Sequence, residues 1–374
     1  MKILMIGTTV QSLLGFRYEL LKDLVSAGHE VYALSVDYDY KSKQTLIDIG
    51  VVPIDYTISR SGINPFKDFV YFIFLYKLIK KITPDIVFSY FTKPCIWGSL
   101  AAYYAGVHKI IAMLEGLGFL FTEQPSGIPQ KTKILKRIQI LLYRIAFKKI
   151  NTLIVLNEDD RNDLLNAGCI EDRKVYVLGG IGINLEHYKY SPAPLEPISF
   201  IFIGRLLREK GIYEFIAAAK NIKERFEGVT FNVLGNIDPA NPGSLKQNEL
   251  DTIIKEEIIN YVGYVNDVSH WLSKSSVFVL PSYREGFPRS TQEAMAIGRA
   301  VITTDVPGCR DTVVNNSNGF LIQRWSSDAL AEAMEKFILS KELIRDCGKE
   351  SARIAKEKFD TRITNKKIIT ILLS

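Results

Sequence analysis

Cysteine and histidine are both scarce in this chain, with four of each among 374 residues. Cys95, Cys169, Cys309 and Cys347 form no CxxC pair, which excludes a disulfide scaffold and points to a reducing compartment. His29, His108, His187 and His270 lie far apart with no HxxxH or HExxH spacing, so no metal is expected. The fingerprint G-x-G-x-x-G is missing after the first apolar run, and no acidic residue closes the second, which counts against NAD. Long hydrophobic runs are missing too. The densest, FVYFIFLY at 69–76, has eight residues, whereas a spanning helix needs roughly 20. It reads as a buried helix, with an aromatic rim against polyprenyl chains as its other use. The opening MKILMIG has no basic region ahead of a long apolar stretch, so no cleaved signal peptide is expected.

What is present describes a folded chain. Hydrophobic residues make up 47% and charged residues 24%, and the length is natural for two domains. The net charge of +6 is unevenly spread: residues 1–190 hold 23 Lys/Arg against 18 Asp/Glu, residues 191–374 hold 24 against 23. A basic first half suggests an anionic partner there, either nucleic acid or an anionic membrane surface.

Short apolar, β-branched runs alternate with helical stretches throughout. Strands are expected at 2–6, 30–36, 85–90, 109–114, 152–156 and 174–178, then at 198–203, 229–234, 258–262, 276–280, 300–304 and 319–322. Their near-continuous apolar character fits parallel strands covered on both faces, and their spacing fits βαβ units. The stretch YKYSPAPLEP at 188–197 reads as a linker. The expected architecture is α/β: two Rossmann-like, doubly wound domains at 1–187 and 198–374 facing across a cleft, with the last helix able to pack back on the first. In such sheets ligands bind outside the carboxyl ends of the strands, so the chemistry belongs on the loops there.

Three loops carry candidates. After the first strand, Gly15 precedes a helix expected at 16–27, where free N–H groups favour anions; a plain turn glycine is the other reading. The second series opens with FIGRLLREKG, placing Arg205 and Lys210 on one strand–helix loop. Two cations beside a helix N-terminus can neutralise a departing diphosphate, although loop cations are more often solvated surface charge. The sharpest segment is LPSYREGFPRSTQEAMAIGRAVITTDVPG, with Glu285-Gly286-Phe287-Pro288 on a loop and Glu293 in the following helix. Each carboxylate can accept two sugar-hydroxyl hydrogen bonds. Ser290 and Glu293 also match a capping box, which would make Glu293 a helix cap but leaves Glu285 unexplained.

Taken in order, GRLLREKG, the Glu285-x(7)-Glu293 pair, AVITTDVPGCRDTV and NGFLI resemble the second domain of retaining, family 4 glycosyltransferases of the GT-B fold. The resemblance implies that Arg205 and Lys210 hold the donor diphosphate and Glu285 the transferred sugar. It implies that Gly286, Phe287 and Pro288 border that sugar, Glu293 the ribose hydroxyls, and Gly263, Tyr264 and Val265 the base. It also implies a nucleotide sugar, a UDP-sugar, as co-substrate, no cofactor and no metal, and same-face attack that keeps the anomeric configuration. Where many relatives carry a histidine, Glu115-Gly116-Leu117-Gly118 follows the strand at 109–114; Glu115 stands there as hydrogen-bond acceptor, base or plain loop carboxylate. A narrower likeness lies in SRSGINPF (59–66) and LEGLGFLF (114–121). Both resemble bacterial enzymes adding N-acetylgalactosamine in α1,3 linkage to a sugar on undecaprenyl diphosphate, in O-antigen, capsule or glycan precursor synthesis.

The stretch KTKILKRIQILLYRIAFKK at 131–149 has many basic residues and no acidic one. Ile134, Ile138, Leu141, Leu142 and Ile145 recur at helical spacing, which suits a helix lying on an anionic bilayer or one facing the core. In competition for one face the core is expected to win, leaving only lysines for lipid. The expectation is a peripheral protein on the cytoplasmic face of the bacterial inner membrane, with a polyprenyl-diphosphate-linked acceptor and no nucleic acid. Two other classes stay in view. A nucleotide-sugar epimerase would require a cluster of histidines and acids that is not found, and a non-catalytic membrane- or nucleic-acid-binding module would leave Arg205, Lys210, Glu285 and Glu293 without a joint purpose.

Overall fold

Apolar runs too short for helices settle into two parallel sheets in the computed structural model, which describes residues 1–58, 64–239, 241 and 243–374. The first sheet comprises β1 (Lys2–Ile6), β2 (Glu30–Ser35), β3 (Val51–Asp55), β4 (Ile86–Tyr90), β5 (Lys109–Leu114), β6 (Thr152–Val155) and β7 (Val175–Val177). The second comprises β8 (Ser199–Ile203), β9 (Thr230–Leu234), β10 (Asn260–Gly263), β11 (Val277–Leu280), β12 (Ala300–Thr304) and β13 (Gly319–Ile322). Their orders are β3-β2-β1-β4-β5-β6-β7 and β10-β9-β8-β11-β12-β13. Every pairing is parallel, as at Ile3 with Val31 and Ile86, or Val277 with Ala300 and Phe200. Parallel strands need helices on both faces, and β1 shows the result: Ile3, Leu4, Met5 and Ile6 are all fully buried. Each such side chain contributes roughly 1.5–3 kcal/mol of burial. In the second sheet Phe200 stacks on Phe231 at 5.5 Å, and Phe215 covers both Phe202 and Phe231.

The topology fixes where ligands can go. In each sheet the connections reverse direction beside the first strand, between β1 and β4 and between β8 and β11. Loops diverge at such a switch point and leave a crevice outside the carboxyl ends.

Contacts along the chain divide it into two units. One holds Met1–Leu120, Pro129–Ile181 and Thr361–Ser374; the other holds Phe121–Ile128 and Gly182–Asp360. The stretch at 188–197 is fastened to the second unit: Ser191 N–H donates to the Ile297 carbonyl, and fully buried Arg299 donates to Ser191.

Several expectations need correction. β3 was not expected; its Pro53 breaks the strand signature, and an edge position tolerates the missing N–H. The helix expected at 16–27 is two helices, Val10–Phe16 and Tyr18–Ser26, broken at Arg17 (φ −127°, ψ 4°). FVYFIFLY belongs to the surface helix Pro65–Ile82, which buries Tyr71 and Leu75 but exposes Phe69, Val70 and Phe74. In the helix Gln130–Phe147 the core does not take the apolar stripe. Ile134, Ile138, Leu141 and Ile145 face outward with 37–56% exposure, while Gln139, Tyr143, Ala146 and Phe147 are buried. The buried face is held by polar bonds, Gln139 donating to Tyr143 at 2.6 Å, with the Tyr143 hydroxyl 3.3 Å from Thr92. Most of SRSGINPF, residues 59–63, lies outside the described residues.

An aromatic ribbon continues the exposed surface of the first unit. Phe69 stacks on Phe72, Phe72 meets Tyr104 edge-on at 6.1 Å, Tyr104 meets Tyr103 at 5.4 Å, and the Lys149 ammonium lies 4.3 Å above Tyr103. Among the described residues no helix is long and apolar enough to cross a membrane.

Candidate functional site

At the switch point of the second sheet, two loops bring Lys210 and Glu285 together. Lys210 ends a short turn, Arg208–Lys210, after β8, and Gly211 (φ +76°) leads into the helix Ile212–Lys223. A Cβ on Gly211 would stand 2.1 Å from the Pro281 carbonyl, so only glycine lets this loop lie against the loop after β11. The Lys210 ammonium then sits 2.5 Å from Glu285 Oε1, which also accepts from the Ser282 hydroxyl at 2.7 Å. A second close approach fixes the Glu285 backbone: its N–H donates to the Pro307 carbonyl, and a Cβ on Gly308 would lie 2.4 Å from the Glu285 carbonyl. The VPG segment after β12 thus braces the EGFP loop. The Cys309 thiol beside it is pushed up to about 12 by burial, so it stays neutral.

Glu293 is not a cap. The helix Arg289–Ile297 begins at Pro288 with no side-chain cap bond, and Glu293 instead accepts from Tyr188 at 2.8 Å and from Arg289 at 2.7 Å. Burial, then the charge of Glu293, raises the Tyr188 hydroxyl well above the usual tyrosine range, so it remains a donor. The Phe287 ring packs edge-on against Phe359 at 5.3 Å, which leaves the backbone as what residue 287 can offer a ligand. Gly286 and Pro288 flank it on the same loop.

Arg205, on the same loop as Lys210, has a different partner. Its largely exposed guanidinium reaches Asp238 at 3.3 Å. Gly263 ends β10 with φ +81° and accepts from Gly235 N–H at 2.9 Å, while Tyr264 is exposed beside Val265. A cavity of about 630 Å³ opens next to this turn, lined by Asn236, Asn241, Ser244, Lys246 and Tyr261 among others.

In the first sheet the switch point holds a different cluster. Glu115 follows β5 and pairs with Arg17, whose Nη2 also lies 3.6 Å from Met113 Sδ. The guanidinium is stacked 3.8 Å above the Tyr90 ring at the end of β4. Burial pushes the Tyr90 hydroxyl up to about 12, with the Arg17 charge opposing. Gly7, at the end of β1, makes room: a Cβ there would stand 2.0 Å from the Tyr90 hydroxyl oxygen. Contrary to expectation, Gly15 does not precede a helix start. It lies inside Val10–Phe16, whose cap is Thr9, and a Cβ on it would meet nothing within 4 Å.

Sequence reasoning missed Arg17, Tyr188 and Ser282. Ser282 was findable, three residues from Glu285. Arg17 and Tyr188 were not, because their partners lie 98 and 105 residues away. Among the described residues no group of three or more His, Cys, Asp and Glu side chains could hold a metal ion.

The family described as glycosyl transferases group 1 matches residues 186–354, and that described as glycosyl transferase 4-like matches residues 2–157. The chain is 29% identical over 360 residues to the N,N'-diacetylbacillosaminyl-diphospho-undecaprenol α-1,3-N-acetylgalactosaminyltransferase of Campylobacter jejuni, covering 92% of this chain and 91% of that one. It is 32% identical over 294 residues to the UDP-Gal:α-D-GlcNAc-diphosphoundecaprenol α-1,3-galactosyltransferase of Escherichia coli, covering 74% and 72%. Among solved structures, Anabaena HepE in complex with UDP superposes with a TM-score of 0.77 at 18% identity, covering 100% of this chain and 99% of that one.

Proposed function

Since the chain belongs to the group 1 glycosyltransferases and has two parallel-sheet units of the GT-B kind, we propose that it moves N-acetylgalactosamine from UDP-N-acetylgalactosamine, in α1,3 linkage, onto a sugar carried by undecaprenyl diphosphate. The observation that carries this reading is the Lys210–Glu285 pair at the switch point of the second sheet, beside a helix N-terminus. A partly exposed cation and an acid there suit a ligand with phosphates at one end and hydroxyls at the other. Lys210 and Arg205 take the diphosphate, Glu285 the hydroxyls of the transferred sugar, with Gly286, Phe287 and Pro288 alongside. Glu293 takes the ribose, and Gly263, Tyr264 and Val265 border the base. The names of the Campylobacter and Escherichia relatives support the sugar class, the linkage and the lipid carrier.

In the step itself the bond from the anomeric carbon to the diphosphate oxygen breaks, and its electron pair leaves with UDP. An acceptor hydroxyl oxygen forms the new bond on the same face, and its proton passes to the Glu115 carboxylate that it hydrogen-bonds, to be released to solvent. Lys210 and Arg205 stabilise the charge growing on that leaving group, so no metal is needed. Glu115, on the acceptor side, holds the attacking hydroxyl.

The outward stripe of Gln130–Phe147 and the aromatic ribbon support a docked position on an anionic bilayer. The enzyme is peripheral, on the cytoplasmic face of the bacterial inner membrane, where nucleotide sugars are available. The test is transfer to synthetic undecaprenyl-diphosphate N-acetylhexosamine with UDP-GalNAc, UDP-GlcNAc, UDP-Gal and a GDP-sugar in parallel, EDTA present. Product from UDP-GalNAc alone is expected. Product only with another donor would change the sugar, product abolished by EDTA would overturn the metal-free step, and no product would remove the lipid acceptor.

A further inference from the structure

Arg17 has an environment that surface packing does not explain. It sits at the break between two helices, its side chain keeps only 4% exposure, and it touches three groups at the carboxyl ends of strands: Glu115, Met113 and the Tyr90 ring. Its Nη1 is buried with no hydrogen-bond partner among the described residues. Glu115 is divided in its use. Oε1 is held by Arg17, while Oε2 makes no hydrogen bond among the described residues and a tenth of the side chain stays open. The pair therefore leaves one carboxylate oxygen and one buried donor unused beside the carboxyl ends of β4 and β5, next to the switch point of the first sheet.

We propose that Arg17 is a positioning residue: it locks the Glu115 carboxylate so that Oε2 accepts a hydrogen bond from the attacking hydroxyl of the acceptor sugar. The inference rests on the transferase reading above and adds to it the residue that makes Glu115 effective. The stack on Tyr90 sets the plane of the guanidinium, and Gly7 allows that stack by leaving space for the Tyr90 hydroxyl. A planar fork on an aromatic ring fixes direction as well as charge. A hydroxyl aligned in this way approaches as a near-attack arrangement, and misplacing such a group by about 1 Å costs on the order of 10²-fold in rate.

The test compares wild type, Arg17→Lys, Arg17→Met, Glu115→Gln and the double variant Arg17→Met/Glu115→Gln. Steady-state transfer is measured against both substrates, with UDP-sugar affinity by calorimetry in the absence of acceptor. Arg17→Met is expected to lower kcat/KM for the acceptor on the order of 10²-fold while UDP-sugar affinity stays within twofold. Glu115→Gln should fall equally, the double variant no further than either, and Arg17→Lys should recover part of the loss. The double variant leaves no unpaired buried charge, so it keeps the test valid if Arg17→Met alone fails to fold. Losses that multiply in the double variant, or acceptor kinetics unchanged in folded Arg17→Met, would overturn the proposal alone. A wild-type chain without transfer overturns the functional reading and this proposal with it.

Discussion

Each unit places a cation–carboxylate pair beyond the carboxyl ends of its strands, Lys210–Glu285 after β8 and β11 and Arg17–Glu115 after β1 and β5, and the two pairs use opposite designs. Lys210 meets Glu285 in the second, with 23% of the lysine side chain exposed; Arg17 meets Glu115 in the first, with 4% of the arginine exposed. Lysine is a flexible point charge on a long stem and can turn toward an incoming phosphate. Arginine stacked on Tyr90 has no such freedom. On the proposed function, one pair is exchanged for a ligand and the other holds still. The surfaces follow the same division, since the outward apolar helix and the aromatic ribbon both belong to the first unit.

The largest expected effect tests the exchangeable pair. Glu285→Gln or Lys210→Ala should reduce kcat by about 10²–10³-fold or more, a loss typical of removing charge stabilisation from a transition state. Both variants should keep their circular dichroism spectrum, and a folded variant with full transfer would remove that residue from the site. The next effect is on stability and should sharpen the contrast. Arg17→Met leaves a buried carboxylate unpaired and should cost about 3–5 kcal/mol in urea unfolding, against a smaller loss for Lys210→Ala, where Glu285 still accepts from the Ser282 hydroxyl. Equal costs would mean that the pairs do not differ in kind. Smaller again, neutralising Lys133, Lys136 and Arg137 together should weaken binding to anionic vesicles by roughly 1 kcal/mol per charge; unchanged cosedimentation would end the membrane role of that helix. Least of all, Leu141→Ser should change folding stability by less than about 0.5 kcal/mol, because the site faces outward. A large destabilisation would mean that the stripe is covered by protein.

Legibility in the sequence followed the range of each interaction. The strands could be read because a parallel strand writes its burial into five or six consecutive residues. β3 escaped because Pro53 erases that signal at an edge. The loops around Lys210 and Glu285 could be read because each is a short local segment after a strand. Arg17 could not be, since a helical apolar pattern runs through it and its partners Glu115 and Tyr90 lie far along the chain. For Gln130–Phe147, amphipathic spacing gave two faces without saying which turns inward. Gln139 and Tyr143 can be buried because they satisfy each other, and that released the isoleucine and leucine stripe to the outside.

On the proposed docking, the outward stripe of Gln130–Phe147 changes how rates are counted. A catalyst resting on a bilayer searches for its lipid-borne substrate in two dimensions. Its apparent KM for the acceptor is then a surface density rather than a molarity. Diluting the acceptor with inert lipid would slow turnover at constant bulk concentration, while adding more vesicles of the same composition would not.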